Sequence, residues 1–272
     1  LAPTFTPFCE ERIVLASTYL LPASRRLIVS KELASNEGWV RLRDAALRTP
    51  YYSSRYPQLT ALTEVKPVRP AEVYARFAEF ENQHARKVVS PVLGAHWSRR
   101  RNTVALAPWF RLNGIRVLKS FSPEELATLQ PDALAGPVAT LRALASLVLT
   151  GGYRIPSLRL GTIAFAGVNC RLPDDSDREV IWKAFQLPLF TQMRGFHGEL
   201  LAMECEAQDG LHINPKTAIF ESTDDGLLVT SLANFRFPVL RLITGLQART
   251  ENRPCACGST APRLTCLRPA SL

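Results

Sequence analysis

The chain has 272 residues, room for one large domain or two small ones with a substantial core. Hydrophobic residues make up 46% and charged residues 21%, which excludes wholesale disorder. The net charge of +9 admits polyanionic partners, but no nucleic-acid recognition motif accompanies it, and no apolar run approaches the roughly eighteen residues of a membrane span.

The opening stretch, LAPTFTPFCEE, has neither the basic region nor the apolar core of a signal peptide, so a cytoplasmic protein is expected. It also lacks an initiator methionine, which predicts removal of the true N-terminus or residues upstream. Apolar residues at helical spacing predict a helix over 37–49, stopped by Pro50. YYSSRYPQLTAL, 51–62, reads as a loop. A helix is predicted over 69–87, opening on a proline and placing Val73, Phe77 and Phe80 on one face. The one dense basic patch is SRRRN, 98–102, read as a solvated face or as a contact for cofactor phosphates or an acidic protein.

From there strand and helix alternate. IRVLK, 115–119, is a short strand. Ser122, Pro123 and Glu125 form the start signal of a helix. PVATLRALASLVL, 137–149, is a helix ended by Gly151 and Gly152. TIAFAG, 162–167, is a buried strand by its continuous apolar run. DSDREVIWKAFQ, 175–186, is a helix with acidic residues at its positive end. Beyond Leu211 the chain turns β-rich. TAIFES and LLVTSL flank a turn centred on Asp225–Gly226, and FPVLRLI, 237–243, is the next strand. The pattern predicts an α/β domain with an added antiparallel part. Residues 1–95 read as a helical and loop segment, and 96–272 as the α/β core with its C-terminal β region, within one structural domain.

The six cysteines are Cys9, Cys170, Cys205, Cys255, Cys257 and Cys266. Without a secretory signal, a disulfide framework is not expected. Cys255-x-Cys257-Gly is a tight turn that can aim two thiolates at one point. Cys205 and His212, on either side of a turn at Asp209–Gly210, can complete a tetrahedron around a structural zinc ion. The competing reading is a set of small buried apolar side chains.

The stretches MECEAQDGLHINPKTAIFE, GLLVTSL, FPVLRLITG and PCACGSTAPRL, in this order, resemble the phenylacetate–CoA ligase branch of the acyl-adenylate-forming superfamily. LRTPYYSSRYP and PDALAGPVATLRALA are similar to its N-terminal and central segments. The resemblance implies the large N-terminal domain of such an enzyme: mixed sheets flanked by helices, with an antiparallel C-terminal part; the family's small lid domain is expected to be absent. It also implies a Cys/His/Cys/Cys zinc site at Cys205, His212, Cys255 and Cys257.

Family enzymes activate a carboxylate with ATP and pass the acyl group to coenzyme A. Several groups that this chemistry needs are replaced here. Between Ala85 and Gly114 no glycine-rich phosphate loop can be found. Where the family has Tyr-Arg-Thr-Gly-Asp, the chain reads Leu242, Ile243, Thr244, Gly245, Leu246, and leucine cannot accept a hydrogen bond from ribose. The aromatic–Gly–x–Thr/Ser–Glu motif has become RGFHGELL, 194–201, with Glu199 as a candidate for the family glutamate in a register the sequence leaves open. The chain stops at Leu272, where the lid should begin.

These losses argue against ATP and magnesium as cofactors and for a preactivated donor. The expected reaction is ATP-independent acyl transfer, in secondary metabolism, from an acyl-CoA, aryl by preference, to an acyl carrier protein or a small acceptor. His197 is the candidate base, and Cys170, beyond the end of a strand, the candidate nucleophile. Gly167, Phe196, Arg241 and Thr244 are expected to bind substrate. Trp109, Phe110, Phe165 and Phe190 join Phe196 as possible aryl contacts. The alternatives are an ATP-dependent ligase and a non-catalytic partner of a ligase or carrier protein.

Overall fold

The structure, a computed structural model, describes residues 27–28, 36–86, 103–106, 115–119, 121–167, 170–224 and 226–270. Three short helices come first: α1 (Asn36–Leu47), α2 (Pro50–Arg55) and α3 (Pro70–Ala75). The expected loop after Thr49 thus begins as a helix, because Pro50 sits at its first position, where proline's fixed φ suits a helix start. The helix expected over 69–87 breaks at Arg76, and Phe77–Phe80 continues as a tighter 3-10 turn. The break buries Val73 and Phe80 as expected but leaves Phe77 43% exposed.

The main sheet has nine strands. Its parallel part runs β3 (Arg116–Leu118), β2 (Thr103–Leu106), β4 (Ala133–Pro137), β5 (Gly161–Gly167), β6 (Leu189–Arg194). Three helices accompany it: α4 (Pro123–Leu129), α5 (Val138–Gly151) and α6 (Asp175–Phe185). The period of two along the strands explains their apolar runs. Val104, Leu134 and Ala164 pack in one core with Leu141, Leu144 and Val148 of α5 and Ile181 of α6. Ala105, Ala135, Ile163 and Phe165 point the other way, into a second core that includes Cys170. The Ser122 side chain accepts from the Glu125 amide at the start of α4, and Gly152 ends α5 with φ 66°.

The sheet continues antiparallel through β7 (Leu200–Glu204), β8 (Leu211–Ile213), β13 (Arg263–Pro269) and β12 (Leu246–Glu251). A second, four-stranded sheet has the order β1 (Leu27–Ile28), β9 (Ala218–Thr223), β10 (Gly226–Ser231), β11 (Leu242–Ile243). The expected β9–β10 hairpin forms, but its turn lies one residue earlier than expected: Gly226 already pairs with Thr223 as the first residue of β10, and Asp225 lies outside the described residues. The strand expected over 237–243 shrinks to Leu242–Ile243. Its preceding amides go to side chains instead: Leu240 donates to Tyr52 Oη at 2.8 Å and Arg241 to Thr230 Oγ1 at 2.9 Å, with Arg241 at φ 53°.

The N-terminal helices have no separate core among the described residues. Leu42, Tyr52, Val65, Val73 and Phe80 pack in one cluster with Phe220, Val229, Leu240 and Leu264 from the C-terminal strands. The basic patch 98–102, Trp109, Phe110, Cys9 and most of the stretch searched for a phosphate loop lie outside the described residues.

Candidate functional site

Two loops at one end of the antiparallel strands bring the four predicted metal ligands together. Cys205 follows β7 directly, and the turn after it closes with the Gln208 amide on the Cys205 carbonyl at 3.0 Å. Gly210, at φ 84°, passes so close to Leu264 that a Cβ would press on its carbonyl. His212 is the middle residue of β8, opposite Arg263 of β13. Cys255 and Cys257 occupy the β12–β13 turn, closed by the Gly258 amide on the Cys255 carbonyl at 2.9 Å, with Gly258 at φ 85°.

The donor atoms of Cys205, His212, Cys255 and Cys257 all lie within 4.8 Å of one another. The Cys205 and Cys255 sulfurs are 3.6 Å apart, and the Cys257 sulfur is 3.5 Å from His212 Nε2. A tetrahedral zinc ion bound at the usual lengths has S···S edges of about 3.8 Å and S···N edges of about 3.5 Å. The two edges between neighbouring donors match these lengths, and the three-sulfur, one-nitrogen donor set suits a borderline-soft divalent ion.

Cys205, Cys255 and His212 titrate differently from one another. Burial pushes the Cys205 thiol up to about 12. Burial also raises Cys255, but the Cys257 amide, the neighbouring thiols and the charge of Arg263 bring it below its ordinary value. Burial holds His212 low, with Arg263 adding to the effect, so its ring is neutral and able to bind a metal at neutral pH. Arg263, buried at 3% exposure, ties the loops by bonding Asp209 and the Arg253 carbonyl.

The second candidate site lies at the ends of β5 and β6. Gly167 pairs with Arg194, and at φ 138° a Cβ on it would meet the Arg194 carbonyl. Gly167 and Cys170 exchange backbone hydrogen bonds at 2.9 and 3.2 Å. The Cys170 side chain enters the apolar cluster, where burial pushes its thiol up to about 11. At neutral pH the thiolate of such a group is scarce, which argues against the nucleophile expected there.

Past Arg194 the chain turns sharply back into β7. Glu199, 1% exposed, folds into this turn: its Oε2 accepts from the His197 amide at 2.9 Å and its Oε1 from Ser231 of β10 at 3.4 Å. Arg194 is equally buried, donates to the Gly198 carbonyl at 2.9 Å and to Gln192, and stands 5.3 Å over the Phe165 ring. Burial lowers its pKa to about 9, with Glu199 opposing. Glu199 is thus enclosed by its own turn rather than open to a metal–nucleotide complex.

The His197 ring stacks on Phe237 at 4.7 Å and on Phe77 at 6.0 Å. Burial lowers its pKa, against the pull of Glu199 and Glu81. Phe196 packs beside Tyr74 and Phe237, centroids 5.4 and 6.0 Å away.

The two remaining expected substrate contacts face inward. The Thr244 hydroxyl donates to the Leu227 carbonyl at 2.7 Å and accepts from the Leu246 amide at 3.2 Å. Arg241, 4% exposed, pairs with Glu221 at 3.0 Å and donates to the Val65 carbonyl at 2.7 Å. It latches the N-terminal segment to the sheet. Sequence reasoning passed over Arg194, whose only signal is a charge ending an otherwise apolar and amide-bearing strand, LFTQMR.

A parallel sheet continued by antiparallel strands, beside a small second sheet, is the fold of the large N-terminal domain of adenylate-forming enzymes. No family profile matches the sequence, and no curated protein does. Solved structures match in fold. An open conformation of 2-hydroxyisobutyryl-CoA ligase in complex with 2-HIB-AMP and CoA aligns with a TM-score of 0.63 at 16% identity, over 90% of this chain and 78% of that one. The postadenylation state of the same ligase with 2-HIB-AMP aligns at 0.64 and 17% identity, over 90% of this chain and 70% of that one.

Proposed function

We propose that this domain binds an acyl thioester and transfers its acyl group without adenylating a free acid. The observation that carries this is the state of the groups that would grip a nucleotide. Leucine stands at 246, where the resemblance calls for the ribose acid, and Glu199 is enclosed at 1% exposure. A thioester brings its own activation, so neither loss matters to it. His197 is the group that the geometry leaves for the chemistry: half-buried, and held neutral by burial. It takes the proton of the incoming acceptor, a thiol of an acyl carrier or a small nucleophile. As the acceptor's bond to the acyl carbon forms and the carbon–sulfur bond to coenzyme A breaks, it returns that proton to the departing thiolate of coenzyme A. Phe77, exposed and stacked on the ring, and Phe196, the residue before His197, favour a planar or aryl acyl group, while the buried Phe237 backs the ring.

Cys205, His212, Cys255 and Cys257 would hold zinc as a structural ion, since four protein ligands leave no open position for substrate. The ion would tie the β7–β8 and β12–β13 loops together.

A second reading, an ATP-dependent acyl-CoA ligase, is favoured by the ligands of the fold neighbours, 2-HIB-AMP and CoA. One pair of assays separates the two. With acyl-CoA and an acceptor thiol, release of free coenzyme A is expected and should fall in His197→Gln. With acid, ATP, magnesium and coenzyme A, no pyrophosphate is expected. Pyrophosphate release matched by acyl-CoA formation overturns the proposal in favour of the ligase. For the metal, one equivalent of zinc is expected in purified protein; substoichiometric zinc, with stability unchanged by a chelator, removes the ion from the account.

A further inference from the structure

A cavity of about 430 Å³ lies between the β9–β10 hairpin and the β12–β13 pair, away from both sites described above. Its walls combine two kinds of surface. Ala248 and Leu267 supply an apolar floor, continuous with the main core. Arg249 and Arg268 supply positive charge from adjacent strands and are both exposed.

Glu221 of β9 is paired with Arg241, and Glu251 of β12 with Arg253. Among the described residues neither Arg249 nor Arg268 forms an ion pair. Gln247 Oε1 accepts from Arg268 Nε at 3.1 Å, and the NH₂ group of the same amide is a further donor. The hydroxyls of Ser222 and Thr223 donate into the protein, to the Ala248 and Gly226 carbonyls, and do not compete for an anion. A register shift between Gln247 and Arg249 sets the two strands out of step where the pocket opens.

We infer that this cavity binds a small organic anion: a carboxylate or phosphate head held by Arg249, Arg268 and the Gln247 amide, with an apolar body on Ala248 and Leu267. The inference is independent of the thioester reading, because no group of the His197 site takes part. Two guanidinium groups and an amide donor match the planar oxygens of either head, and the apolar floor excludes a bare inorganic ion as the preferred occupant.

Cys266 lines the same cavity, is exposed and is in no disulfide, so its alkylation rate reports occupancy. The experiment alkylates the full chain in the presence of benzoate, phenyl phosphate or inorganic phosphate and follows the peptide containing Cys266 by mass. Saturable slowing by benzoate or phenyl phosphate is expected; which of the two acts at lower concentration identifies the head group. In Arg249→Ala/Arg268→Ala the protecting concentration should rise about tenfold or more. Arg154→Ala/Arg159→Ala, which removes two charges outside the cavity, should leave it unchanged. The inference is overturned if neither organic anion protects, if the Arg249→Ala/Arg268→Ala protein is protected as well as the wild type, or if inorganic phosphate protects as well as phenyl phosphate.

Discussion

Asp177→Asn probes the link between the parallel sheet and the loop that carries Cys170. Asp177 is fully buried at the start of α6, where it forms a capping box with Asp174. Its carboxylate receives Arg142 from α5 at 3.0 Å and Arg171, one residue after Cys170, at 2.5 and 2.8 Å. Burial alone would raise its pKa, but Arg171, the Asp174 amide and Arg142 outweigh burial and bring it to about 2. Against an unfolded value near 3.9, the depression corresponds to about 2 kcal/mol of stability at neutral pH. Asparagine keeps the shape and the cap but not the charge, so it should lose about that much, or about 4–8 °C in Tm for a chain of this size. The sign fixes the pH window. A depressed carboxyl stabilises above its unfolded pKa, and the contribution fades as pH falls from about 4 towards 2. The gap between wild type and variant, read by urea unfolding at several pH values, should therefore be full at pH 7 and close on acidification. Equal stability at pH 7, or a gap that persists unchanged into acid, would refute the assignment.

Gly167→Ala should destabilise by about 3 kcal/mol or more, because the new Cβ meets a strained φ and the Arg194 carbonyl together; the urea midpoint reports it. Arg241→Ala should cost about 3–5 kcal/mol by leaving Glu221 buried without its partner, whereas Arg241→Met/Glu221→Gln should recover much of that loss. Since His197 must be neutral to accept a proton, transfer should rise with pH through a pKa below 6.5 and be level by pH 7. Glu81→Gln removes a carboxylate that favours the protonated ring and should move this acid limb to lower pH still.

The elements most legible in the sequence are those whose signals are local. Gly152 ending α5, Ser122 starting α4 and the uninterrupted apolar run of β5 each carry their cause in a few adjacent residues. The Cys/His cluster was legible too, since the turn chemistry of Cys255-x-Cys257-Gly and of Asp209–Gly210 already aims the side chains; only the strand pairing that joins the loops is long-range. What was illegible depends on distant partners. The run 237–241 looks like a strand, yet Tyr52, nearly two hundred residues earlier, takes the Leu240 amide. Arg241 and Thr244 look like substrate groups because they sit in a binding motif, but a motif does not say which way a side chain turns. Their hydrogen bonds run to Glu221, Val65 and Leu227.

The shared core of the N-terminal helices and the C-terminal strands bears on how the chain is made. Tyr52, Val65 and Phe80 leave the ribosome long before Phe220, Leu240 and Leu264, against which they come to rest. During synthesis that early greasy surface waits for more than a hundred residues of translation, so nascent chains are most exposed to aggregation, and most in need of a chaperone, until β9–β11 emerge.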